Sequence, residues 1–122
     1  MMSPEDAVVL IINEARADER GLLASVRNGE DPGEERMREL ILALQTVFQS
    51  LGGQAELDRH LAAALFTLGS DVPLTISSLA SKGQIWRKGF MEDEVYELLM
   101  GVQSIFEDRW LQNENEPVET VH

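Results

Sequence analysis

The sequence predicts an all-α protein, a compact bundle of five or six helices with mostly antiparallel neighbours. Three observations predict it. Apolar residues recur at three- and four-residue spacing along nearly the whole chain, strand-like alternation is almost absent, and Gly or Pro marks each break between apolar runs. The breaks are short, which favours consecutive helices turning back on one another.

The first helix opens at Ser3-Pro4-Glu5-Asp6. The serine suits the N-cap, proline suits the first helical position, and the two acids face the positive end of the helix dipole. Val8, Ile11, Ile12, Ala15, Leu22, Leu23 and Val26 then follow a helical period, until Asn28-Gly29 with Pro32 behind it stops the run. This stretch is either one helix of about seven turns enclosing Gly21 or two helices broken there. Unbroken, it points the Glu19 carboxylate at the core, where it needs a partner. A break at Gly21 leaves Glu19 wet and is the favoured expectation.

Asp31-Pro32-Gly33-Glu34 repeats the start signal, with Asp31 as cap and Glu34 placed to reach back. Met37, Leu40, Ile41, Leu44, Val47, Phe48 and Leu51 form the cleanest apolar stripe, ended by Gly52-Gly53. A third helix is expected from Gln54 to Leu68, with Gly69 just past its end. Ser70-Asp71-Val72-Pro73 then starts a short fourth helix that stops near Lys82-Gly83. The last helix begins around Phe90, carries Glu92-Asp93-Glu94 in its first turn, and buries Val95, Leu98, Leu99, Val102, Ile105, Phe106 and Trp110. One helical domain is expected over 1–112, followed by a polar, acidic tail over 113–122.

At 122 residues and 43% hydrophobic, the chain is long and apolar enough for one domain with a real core. The absence of cysteine excludes disulfides, thiolate metal sites and a cysteine nucleophile, and two histidines make no His-rich metal site. The net charge of −12 opposes nucleic acid and anionic membranes and attracts basic partners. It is unevenly spread: residues 54–91 carry four bases and three acids, whereas residues 92–122 carry one base and nine acids. The longest nearly uncharged stretch, 72–81, is far short of the ~20 residues a bilayer span needs. Acids stand where a secretory signal has lysines, so a cytoplasmic location is the default expectation.

No phosphate-binding loop, nucleophile elbow or zinc signature occurs, so no catalytic residue, cofactor or metal ligand is assigned. Glu56 and His60, one turn apart on the expected third helix, are a ligand pair without further ligands. The features left over are surface features. Phe66 projects almost opposite the apolar stripe of the third helix, and Tyr96 and Met100 stand off the main face of the last one. They either pack within a helix buried on two sides or form a surface for association.

The expected function is protein–protein interaction: a regulator, assembly factor or immunity- or antitoxin-type inhibitor, expected to be a homodimer. It presents apolar Phe66, Tyr96 and Met100 beside acidic Asp93, Glu94 and Glu97 to a basic or amphipathic partner. The second reading is a helix-turn-helix regulator using residues 73–90, with Lys82, Arg87 and Lys88 as nucleic-acid contacts, Arg87 and Lys88 on phosphates and Trp86 or Gln84 near bases. Against it, Trp86 anchors a loop while Arg87 and Lys88 pair with acids at 92–97. The third is a metal-dependent hydrolase built on helical carboxylates, with Glu34, Glu35 and Glu39 facing Asp93, Glu94 and Glu97. The spacing of these acids points mainly to solvent.

Overall fold

The computed structural model describes residues 2–16, 18 and 20–111. The tail expected at 113–122 and the side chain of Glu19 lie outside the described residues. Six α-helices and no strand occur among the described residues: α1 (Pro4–Glu14), α2 (Leu22–Arg27), α3 (Glu34–Leu51), α4 (Arg59–Phe66), α5 (Val72–Ser81) and α6 (Tyr96–Glu107). The all-α expectation holds.

The start of α1 follows its local code, with the Asp6 N–H donating to Ser3 Oγ at 3.1 Å and Pro4 in the first turn. The long first run resolves into two helices. Arg36 of α3 donates from Nε and Nη2 to the Glu14 carboxylate at 2.8 and 2.6 Å, and from Nη2 to the Arg20 carbonyl at 2.8 Å. These bonds pin the end of α1 and the connection behind it. Gly21 is required there, because a Cβ would overlap the Arg16 backbone carbonyl.

Asp31 is not the cap of α3, as the sequence suggests. Gly33 holds that position with φ 93°, a left-handed value that glycine takes without strain. Asp31 accepts instead from the Gly33 N–H at 2.8 Å and turns its other oxygen toward Arg87.

The third helix begins later than the apolar pattern implies. Asp58 is its N-cap, accepting from the Leu61 N–H at 3.0 Å, so residues 54–58 form an irregular connection. The pair Glu56 and His60 therefore does not share a helix turn.

The expected stop at Gly69 does not occur either. Thr67–Asp71 forms a π-helical segment that joins α4 to α5 in one rod, Arg59–Ser81. Proline explains the widening: Pro73 donates no hydrogen bond, and its ring would strike the carbonyl four residues back in a regular α-helix. Looser π pairing immediately before it relieves both problems. A second π segment, Phe90–Val95, opens the α6 rod at the expected Phe90.

Joining the two apolar runs also changes their combined length. The rod has 23 residues, with mean hydropathy 1.3 in its most apolar window, and is by length and composition able to cross a bilayer. The uncharged stretch at 72–81 understated this. Leu61, Leu65, Leu68, Val72 and Ile76 of the same rod are buried in the domain core.

Around that core, α1 packs on α3 and α4, α3 on α6, and α2 on α5. Fully buried Ile11, Leu40, Leu44, Leu65, Phe90 and Leu98 occupy its centre. Gly69 marks a close approach of the two rods, since a Cβ there would lie 2.9 Å from Val102 Cγ1.

Candidate interaction surface

The rods Arg59–Ser81 and Phe90–Glu107 run side by side, residues 73–77 of one beside 91–96 of the other and residues 65–70 beside 99–106. This pairing is antiparallel. One flank of the seam is packed into the core, and the other lies open as two consecutive hollows. The first, of about 300 Å³, lies between Pro73, Ile76, Tyr96 and Leu99. The second, of about 360 Å³, lies between Phe66, Gly69, Leu99, Met100 and Phe106. Leu99 is common to both, so they form one continuous groove.

Nine residues line the second hollow and none carries a charge. Its rims are aromatic: Phe66 is 62% exposed and Phe106 50% exposed. The structure therefore brings Phe66 and Met100 together as the sequence suggests, with Tyr96 one hollow further along. Met100 and Tyr96 are half-buried.

Phe106 was expected on the buried face and is not there. The apolar residues of α6, from Ile105 through Leu99 to Met100, sweep roughly 220° at about 100° per residue. That is about twice the width of a single packed stripe, and Phe106 lies where the arc leaves the core. Trp110 was also expected on that face; α6 ends at Glu107, and Trp110 instead meets Phe48 edge-on, with ring centroids 5.4 Å apart.

The acidic candidates collect on the opposite flank of α6. Asp93, Glu94 and Glu97 line a cleft of about 450 Å³ with Glu34 and Arg38 of α3 and with Arg87 and Lys88. Glu94 is not part of an open acidic surface: its carboxylate accepts from Arg87 Nη1 and Nη2 at 2.7 and 2.8 Å. Arg87 also donates from Nε to Asp31 at 2.7 Å and from Nη2 at 3.2 Å. The hydrogen bond from Arg87 holds the Asp31 carboxyl below its ordinary 3.8, against the opposing effect of burial. Glu94 and then Asp31 raise the Arg87 guanidinium in turn.

Arg87 is thus committed to carboxylates at the position where the alternative reading puts a phosphate. Residues 84–87 are irregular chain, with no recognition helix there. Trp86 anchors this loop as anticipated, donating from Nε1 to the Ile76 carbonyl at 3.3 Å and leaning on Phe90. Lys82 and Lys88 are exposed. Glu34, Glu35 and Glu39 are exposed along α3, and only the first of them reaches the cleft. Among the described residues, no three His, Asp or Glu side chains gather as a metal site.

Leu99, expected on the buried face, is half-buried and lines both hollows; Gln103, Gly69 and Pro73 also belong to the groove, and the sequence assigns them to no surface. Their membership depends on which helix lies beside α6, which no local pattern states. The chain matches no protein-family model, no curated protein and no solved structure.

Proposed function

We propose that this chain is a protein-interaction module that binds a basic, amphipathic segment of another protein in the groove between its two rods. One observation carries the reading. Two phenylalanines, one from each rod, stand half or more in water across a concave surface with no charged lining. Burying a phenylalanine fully is worth about 1.5–3 kcal/mol, so a small domain that leaves two on one groove forgoes substantial stability unless something covers them. Charge selects the covering group. Among the described residues, no lysine or arginine lines either hollow, Glu92 lines the first, and Glu107 accepts from Gln103 Nε2 beside the second. A cationic segment is drawn to such walls, while the −12 of a second copy is repelled.

The test is comparative capture from the native cell by the wild type, Phe66→Ser and Met100→Glu, with circular dichroism confirming that each variant is folded. The wild type is expected to retain a basic protein that both variants lose. Equal retention by folded variants overturns the reading.

A further inference from the structure

The shape of the groove restricts what can lie in it. Tyr96, Leu99, Met100, Gln103 and Phe106 follow one another along α6 at intervals of three, one, three and three residues. Tyr96 to Phe106 therefore covers about 15 Å at ~1.5 Å per residue, and extension to Glu92 at the end of the first hollow brings the length to about 20 Å. The two hollows lie in line and share Leu99. A bound α-helix presents apolar side chains about 10 Å apart at positions i and i+7, with i+3 and i+4 between them. An extended strand alternates its side chains on opposite faces and needs an unpaired sheet edge for its backbone, and none exists among the described residues.

The α6 wall of the groove carries a carboxylate toward each end. Glu92 lines the first hollow, and Glu107 accepts from Gln103 Nε2 at 2.5 Å beside the second.

We infer that the occupant of the groove is a single amphipathic α-helix of about three to four turns, apolar on one face and lysine- or arginine-rich on the flanks, laid along α6 as a third rod. This rests on the proposed binding function and specifies its partner. The exposed aromatics Phe66 and Phe106 clasp the apolar face, and the rim carboxylates meet the cationic flanks.

The probes are three synthetic 14-residue peptides: a Leu/Lys sequence with leucines at helical spacing, its scrambled isomer, and a Leu/Glu sequence with the same leucine pattern. Each is titrated into the full chain while methionine methyl resonances are followed. The striped Leu/Lys peptide is expected to bind saturably and become helical, shifting Met91, which lines the first hollow, and Met100, which lines the second. The scrambled and acidic peptides should bind at least tenfold more weakly, and Met100→Glu or Phe66→Ser should weaken the striped peptide at least tenfold. Equal binding of the scrambled peptide, or shifts away from Met91 and Met100, overturns the inference. So does a stable dimer at micromolar concentration and physiological salt that Met100→Glu dissolves. If the peptides fail while cellular capture still depends on Phe66 and Met100, the helix is wrong and the binding function stands; if capture ignores both residues, the binding function itself is wrong.

Discussion

The Arg87 guanidinium bonds to Asp31, 56 residues before it, and to Glu94, seven after it, and so ties the connection ahead of α3 to the start of the α6 rod. Because the native Asp31 pKa lies below its ordinary 3.8, its ionised form is favoured by folding. That stabilisation is complete above the unfolded pKa and is lost as pH falls through the native one. Acidification also relieves the repulsion of a −12 chain, which acts in the opposite direction but equally in a point variant. The difference between wild type and Asp31→Asn isolates the residue: with Asp31→Asn the less stable at pH 6, the gap in urea midpoints should narrow as pH falls below 3.8. A constant gap would show that Asp31 does not titrate against Arg87. Gly69 makes a different kind of contact, steric instead of electrostatic. Alanine there would crowd stiff Val102 at 2.9 Å, and overpacking of this sort costs about 1–3 kcal/mol, partly offset by alanine's better helix propensity of ~1 kcal/mol. Gly69→Ala should lower the urea midpoint, and Gly69→Ala with Val102→Ala should recover part of it.

Helices of this chain end where local chemistry ends them and continue where a distant contact carries them on. Ser3, Asn28-Gly29, Gly52-Gly53 and Lys82-Gly83 are all legible as boundaries because the cap or left-handed glycine that sets each one lies within a few residues. Asp58 was less legible, since the apolar period already begins at Leu57 and hides the later start. Its capping bond to Leu61 predicts that Asp58→Ala costs about 1 kcal/mol in urea denaturation, the ordinary value for a lost N-cap. An unchanged midpoint would mean that α4 begins elsewhere. Gly69-Ser70-Asp71-Val72-Pro73 misleads for a physical reason. It contains a stop residue, two capping residues and a proline, yet the chain stays helical because π pairing accommodates Pro73 and because Gly69 faces Val102 across the seam. The groove shows the same division. The excess apolar width of α6 and the misfit of Phe66 were visible in the sequence, whereas the wall they share was not.

On the scale of the whole molecule, charge and apolar surface work against each other in self-association and together in partner binding, and salt separates the two. Two copies meeting groove to groove bury Phe66 and Phe106 but bring two −12 chains together, so screening favours the pair. A cationic helix in the same groove gains from those charges, so screening weakens it. Raising sodium chloride from about 0.02 M to about 0.5 M shortens the screening length from roughly 20 Å to roughly 4 Å, less than the width of the groove and its rims. Sedimentation of the chain alone across that range should therefore show self-association, where it occurs, increasing with salt. The complex with a Leu/Lys helix should weaken at least tenfold over the same range. Met100→Glu should flatten the first trend by removing the apolar contact. Neutralising the rim with Glu92→Gln and Glu107→Gln should flatten the second while leaving the two phenylalanines in place. If both trends ran in the same direction, the acidic walls would play no part in choosing what the groove holds, and apolar area alone would decide it.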